Sequence, residues 1–271
     1  MDFLELLKAV LFGIVQGITE WLPISSTGHM ILLDELVQLN CTPDFWNMFL
    51  VVIQFGSILA VLCLYFHKLN PFSSRKSGRE KKETLSLWAK VIVGVVPAGI
   101  IGVLFNDKIE QLLMNSYVVA FALIGYGVMF IVIENRKRQP SIQNLQQLNY
   151  STALWIGVFQ ILSLIPGTSR SGSTILGAVL LGCSRQIAAE FSFFLAVPVM
   201  LGASGLKLVK HGLAYQAAEW GILIAGMVTA FLVSIAAIRF LTSFIKKHDF
   251  KVFGYYRIGL GILVLLFFWM A

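Results

Sequence analysis

The sequence predicts an all-α polytopic membrane protein, with six transmembrane helices and two re-entrant helical hairpins arranged as an inverted-topology repeat. Three observations carry this expectation. Of 271 residues, 57% are hydrophobic and only 13% are charged, whereas a soluble domain carries about 25% charged residues. Six apolar stretches are long enough to span a bilayer, while two others are broken in the middle by polar turns. The two broken stretches also resemble each other.

A helix needs about 20 mostly apolar residues to cross roughly 30 Å of hydrocarbon. Stretches 46–66, 85–105, 117–133, 191–209, 220–239 and 252–270 approach that length. Basic residues between them set the orientation. Lys68, Arg75, Lys76, Arg79, Lys81, Lys82 and Lys90 form one cluster, Arg136, Lys137 and Arg138 a second, and Arg239, Lys246, Lys247 and Lys251 a third. Excess lysine and arginine marks cytoplasmic loops; with all three clusters inside, the six spans alternate consistently and both ends of the chain lie outside. Topology thus accounts for the net charge of +7, and no nucleic-acid partner is expected. Lys8 alone makes a weak signal-peptide n-region, and no small-residue cleavage site follows it. Cys41, Cys63 and Cys183 lack metal or disulfide spacing and read as apolar packing residues. Lys207, Lys210, His211 and Arg257, near span ends, read as snorkelling side chains.

The first interrupted region, 4–39, is broken by TEWLPISSTGH, and the second, 152–182, by PGTSRSGST. Arms of about 15 residues reach roughly 22 Å, short of a crossing. A re-entrant hairpin with its turn near mid-membrane accommodates them, because non-helical backbone is tolerated there when buried in protein or lining a wet cavity. Two ordinary tilted spans are the alternative. GIVQGITEWLPISSTG from Gly13 recurs as GVFQILSLIPGTSRSG from Gly157, and WNMFLVV from Trp46 as FSFFLAV from Phe191. The single membrane domain, 1–271, therefore divides into repeats 1–134 and 150–271, each a hairpin plus three spans. An odd number of spans inverts the second copy, which brings the two turns face to face near the midplane.

The first turn supplies Gln16, Glu20, Ser25, Ser26, Thr27 and His29. Gln16 and Glu20, four residues apart, share a helix face. A carboxylate at membrane depth costs about 2.5–3.5 kcal/mol, so it requires either a partner in the opposite hairpin or a metal ion. A lone histidine is commonly a packing residue; beside a carboxylate and three hydroxyls, His29 is read as catalytic. The second turn supplies Thr168, Ser169, Arg170, Ser171, Ser173 and Thr174, with Gly167 and Gly172 permitting close approach. Arginine offers a planar fork of donors to phosphate oxygens, and the following helix directs free amides and its positive dipole end into the site. A structural Arg170–Glu20 ion pair is the alternative, and the two readings are compatible. This inventory suits phosphoryl transfer. It lacks the lysine-bearing phosphate loop of ATP-driven enzymes, and a buried site reached from lipid suits a phosphate carried on a lipid tail.

On these residues the sequence resembles the bacitracin-resistance family of undecaprenyl-diphosphate phosphatases over nearly its whole length. QGITE with PISSTGHM is similar to the family's first motif, PGTSRSGST to its second, and EFSFFLAVP from Glu190 is a further family-like stretch. The resemblance implies hydrolysis of undecaprenyl diphosphate to the monophosphate, recycling the lipid carrier of cell-wall synthesis. It also implies a divalent cation, magnesium or calcium, and a site facing outward from the bacterial plasma membrane. By motif, Glu20, Ser26, His29 and Arg170 are the implied catalytic residues. Ser25, Thr27, Gly167, Thr168, Ser169, Ser171 and Thr174 are expected to hold the substrate, with Glu20 and Gln16 at the metal. The family has glutamate or glutamine at position 16, and some members have glutamate where Leu50 stands here. Expected partners are the polyprenyl diphosphate and membrane lipids, with a homodimer left open. Two nucleophiles fit the spacing: Ser26 with His29 as base, or a water activated by Glu20 or His29. A lipid-phosphate or anion transporter is the competing class, because broken helices in inverted repeats are a transporter architecture.

Overall fold

The computed structural model describes residues 3–136, 138–211 and 217–270. Lys137 lies outside the described residues, as do the side chains of Lys207, Lys210 and His211. Helices α1 (Phe3–Thr19), α2 (Ser26–Leu36), α3 (Pro43–Leu64), α4 (Phe66–Leu69), α5 (Gly78–Leu113) and α6 (Ser116–Asn135) come first. They are followed by α7 (Tyr150–Ile161), continued by a 3-10 turn at Leu162–Leu164, then α8 (Arg170–Leu180), α9 (Arg185–His211), α10 (Ala217–Phe244) and α11 (Lys251–Met270). No β-strand occurs among the described residues.

Six helices, α3, α5, α6, α9, α10 and α11, are long and apolar enough to cross a membrane. Each contains an expected span or most of one, but several extend well past it: α5 has 36 residues and α9 has 27. Hydropathy marks only the stretch suited to hydrocarbon, whereas the hydrogen-bond ladder continues into polar sequence until something caps it. Thr42 caps α3 by accepting from the Phe45 amide at 3.2 Å, and Asn115 caps α6 from Val118 at 2.9 Å. Pro97 and Pro198 lie inside α5 and α9 without ending them. Large apolar side chains such as Val103, Phe121 and Leu232 remain exposed on the outer face, as lipid-facing positions are.

The two interrupted regions form shorter helices. α2 and α8 have 11 residues and α7 has 12, so each is roughly 17–18 Å long. Their breaks have local causes. Pro23 and Pro166 remove an amide donor and disfavour helix just before them; Ile165 is accordingly extended (φ −74°, ψ 120°). Ser25 and Ser169, 144 positions apart, each adopt φ 73°, and among the described residues no other non-glycine has positive φ. Such a conformation costs on the order of 1–3 kcal/mol. It places each serine as an N-cap, with Ser25 Oγ accepting from the Gly28 amide at 3.3 Å and Ser169 Oγ from Gly172 at 3.1 Å.

Helix α1 packs along α10, and α7 along α5; α10 also packs on α3, and α5 on α9. These pairs, together with α3 on α9 and α6 on α11, join the two halves of the chain. Glycine permits the closest approaches. A Cβ on Gly13 would lie 2.6 Å from the Gly226 carbonyl oxygen of α10, and one on Gly157 would overlap the Gly94 carbonyl of α5. Residues 171–178 of α8 are all buried, sharing the largest apolar core with Trp21, Phe191, Phe193 and Phe194. That core fixes the second turn against the first.

Candidate active site

Glu20, 5% exposed, follows α1 at the first turn, where its backbone amide still donates to the Gln16 carbonyl. Its carboxylate joins the two turns. Oε1 accepts from Arg170 Nη2 at 3.0 Å, and Oε2 accepts from Gln16 Nε2 at 2.9 Å and from Ser26 Oγ at 3.3 Å. Ser26 and Arg170 are the first residues of α2 and α8; both helix N-termini, with their unfilled amides and positive dipole ends, therefore converge on one carboxylate. The ion pair expected as an alternative to substrate binding is present. Its burial makes it consequential, since removing one partner of a buried pair typically costs about 3–5 kcal/mol.

Arg170 is held on its other side by Ser192 of α9, with Nη1 donating to the Ser192 carbonyl at 2.7 Å and to its hydroxyl at 3.3 Å. Thr174 Oγ1 bonds the same hydroxyl at 2.7 Å, and the guanidinium lies over the Trp21 ring at 5.7 Å. Ser171 Oγ donates to the Glu20 and Leu22 carbonyls and shares a 3.1 Å bond with Ser169 Oγ. Three buried polar atoms here have no protein partner: Arg170 Nε, Thr168 Oγ1 and Trp21 Nε1. Buried donors rarely go unused, so each is an unfilled hydrogen-bonding position beside the paired turns. Thr27 is half-buried and joins none of these bonds.

His29 is oriented separately. One ring nitrogen, Nδ1, lies 2.7 Å from the Ser25 carbonyl, which can only accept, so Nδ1 carries a proton. Nε2 lies 2.7 Å from the Tyr256 hydroxyl of α11, and the rings are parallel at 5.6 Å. Ser26 therefore bonds Glu20 and His29 bonds Tyr256, with no Ser26–His29 hydrogen bond among the described residues.

Arg257 corrects the sequence expectation. It does not snorkel to a span end: it is 0% exposed, and it donates to the carbonyls of Pro23 in the first turn and of Gly167 and Thr168 in the second, at 2.9–3.2 Å. Longer bonds reach Ala122 and Leu123 of α6, and the guanidinium lies over Tyr126 at 5.4 Å. Gly167 meets this arrangement with φ 88° and no room for a Cβ beside Val119. No described carboxylate pairs with Arg257. Glu20, Arg170 and Arg257 together leave one excess positive charge at the paired turns, which favours an anion.

A family model described as Bacitracin resistance protein BacA matches residues 9–263. The chain belongs to that family. Undecaprenyl-diphosphatase 1 of Clostridioides difficile is 62% identical to this family member over 269 residues, covering 99% of this chain and 98% of its own length. Undecaprenyl-diphosphatases of Acetivibrio thermocellus and Enterococcus faecalis are each 58% identical, covering 98% of both chains. In this chain every expected site residue lies in one of the two turns or the helix ends beside them. Ser192, Tyr256 and Arg257 were not expected at the site. The EFSFFLAVP stretch was a signal for Ser192; Tyr256 and Arg257 lie more than 80 residues from either motif and gave none.

Proposed function

We propose that this membrane protein hydrolyses undecaprenyl diphosphate to undecaprenyl phosphate and inorganic phosphate, recycling the lipid carrier of peptidoglycan synthesis and thereby conferring bacitracin resistance. The observation that carries the reading is Glu20, shared between Ser26 of one turn and Arg170 of the other. The substrate's terminal phosphate competes with Glu20 for Arg170 and takes up the unused Arg170 Nε and Thr168 hydroxyl. Ser25, Ser169, Ser171 and Thr174 fix the turn backbone around it. Once freed from Arg170, Glu20 is the base nearest Ser26. Ser26 Oγ attacks the terminal phosphorus, its proton passes to Glu20, and the bond to the bridging oxygen breaks to release the lipid monophosphate. Water then cleaves the phosphoserine. His29 Nε2, which carries no proton, takes the proton of that water through the Tyr256 hydroxyl, and Glu20 returns its proton to Ser26. Direct attack by a Glu20-activated water uses the same contacts.

Magnesium or calcium is the cofactor we propose. No group of three or more His, Cys, Asp or Glu side chains gathers among the described residues, so the available donors are the Glu20 carboxylate and the Gln16 amide oxygen. Such a sparse, all-oxygen set fits a hard cation that takes its remaining ligands from phosphates and water. When bound, the cation neutralises diphosphate charge.

The inverted repeat is supported by the equivalent packing of α1 on α10 and α7 on α5, by the paired glycine contacts, and by the twin serine caps. Re-entrance of both hairpins is supported by the shortness of α2, α7 and α8. We place the site toward the outer face of the bacterial plasma membrane, because the basic clusters belong inside. Phosphate release from a polyprenyl diphosphate by purified protein, abolished by chelator, is the expected result; lipid movement without phosphate release would favour the transporter instead. Cysteines placed at Ser77 and Gln139 should resist an impermeant reagent added outside intact cells, and ready labelling of both would reverse the orientation.

A further inference from the structure

A polar cavity lies away from the paired turns, at the end of the bundle that carries the basic loops. Its volume is about 590 Å³, and it opens outward between α4, the start of α5, residues 143–146 and the first turns of α9. Lys68, Lys76, Arg79 and Lys90 line it, against Glu80, Glu83 and Glu190. Four cations against three carboxylates leave one positive charge over.

The carboxylates are already occupied. Glu190 takes Lys68, Glu83 takes Arg79 and the Gln146 amide, and Glu80 accepts from the Ser77 backbone. Two lysines form no salt bridge among the described residues, and both are more than nine-tenths buried: Lys76 is 9% exposed and Lys90 is 8%. Lys76 donates to the Lys68 carbonyl and the Thr84 hydroxyl. The Lys90 ammonium, with three donors, has a single partner, the Leu145 carbonyl at 3.3 Å. A buried ammonium is expensive unless paired, and this one stands in a cavity wall with donors to spare.

We infer that this cavity is a binding site for a phosphate-class monoanion, seated on Lys90 and Lys76 and separate from the hydrolytic site. A singly charged phosphodiester or dihydrogen phosphate matches the one uncompensated charge and offers oxygens to both ammonium groups. Two sources present that chemistry at this end of the bundle. One is the headgroup of an anionic phospholipid in the adjoining leaflet, as basic pockets between membrane helices commonly bind; the other is free phosphate.

The test uses the whole purified protein in detergent, with melting temperature and native mass spectrometry as readouts. The probes are inorganic phosphate, phosphatidylglycerol and, as a zwitterionic comparison, phosphatidylcholine. Wild-type protein should be stabilised by inorganic phosphate, phosphatidylglycerol or both, in preference to phosphatidylcholine; which one acts identifies the source. Lys90→Met should weaken that binding at least tenfold while retaining lipid-diphosphate hydrolysis, which shows that it folds and leaves phosphate binding at the paired turns intact. Ser86→Glu, at a half-buried position in the same wall, removes no buried group and should also block the anion by repulsion. Indifference of wild-type protein to both anions, or binding by Lys90→Met and Ser86→Glu equal to wild type, would overturn the site.

Discussion

The two turns share a backbone and differ in almost every reacting side chain. Position by position, 144 residues apart, Ser25 matches Ser169 and Gly28 matches Gly172, and both serines hold the same strained φ of 73°. Ser26 is matched by Arg170, His29 by Ser173 and Glu20 by Leu164. One frame carries a carboxylate and an imidazole, the other a guanidinium. The division leaves a mark at Gln16 and Gln160, which occupy equivalent positions. Gln16 donates to Glu20, whereas Gln160, 0% exposed, has neither amide atom bonded; the position that would complete its pair is Leu164. A duplicated frame can thus be specialised by exchanging the side chains at its helix starts while the caps and glycines that build it stay fixed.

The sharpest way to break this division is at Arg170. Arg170→Ala should lower hydrolysis roughly a hundredfold, about 3 kcal/mol of lost charge stabilisation in a water-poor site. Arg170→Lys should remain badly impaired, because it keeps charge but loses the fork that spans Glu20 and Ser192. Steady-state assays on protein shown to be folded would decide; near-parental turnover would make the second hairpin a packing element alone. Next in size is the coupling between hairpins. Glu20→Gln and Arg170→Ala should each lower the melting temperature, and the double variant should be less destabilised than the sum by about 1–3 kcal/mol. Additive losses would mean the turns are energetically independent.

Smaller effects sharpen the contrast. Tyr256→Phe removes the hydroxyl on His29 Nε2 and should reduce turnover about tenfold with substrate affinity little changed, since proton transfer is the step it supports. The smallest effect is expected where the second hairpin has no chemistry to do. Gln160→Met replaces an unbonded buried amide with an apolar chain of similar volume and should raise the melting temperature by about 2–4 °C with activity unchanged. A destabilised Gln160→Met would show that the amide serves the second frame after all.

Composition and span length made the six membrane helices legible, because hydrocarbon thickness sets a minimum run of apolar residues. Helix ends were less so: α5 begins at Gly78, among charged residues that no hydropathy window includes. The turns were legible because proline, serine and glycine cluster there at a fixed offset, and Glu20 and Arg170 stood out as charges at depth. Arg257 was misjudged for the opposite reason. It lies six residues into α11, near enough to a span end to read as snorkelling, and its acceptors are backbone carbonyls, which have no sequence signature. Tyr256 was missed similarly: its partner is 227 residues away, and one more tyrosine near the end of a membrane helix carries no signal of its own.

Arg257 also bears on how the molecule can move. Alternating access requires one half to swing away from the other about a hinge, and the turns would have to part or slide as the path closes on one side and opens on the other. Here a single buried guanidinium grips Pro23 of the first turn and Gly167 and Thr168 of the second. Any swing that separates them takes from a buried guanidinium either its Pro23 acceptor or its Gly167 and Thr168 acceptors, at a cost of several kcal/mol on every cycle. A fixed site bears no such cost, and the proposed lipid substrate could come and go along the bilayer while the arginine stays clasped between the turns.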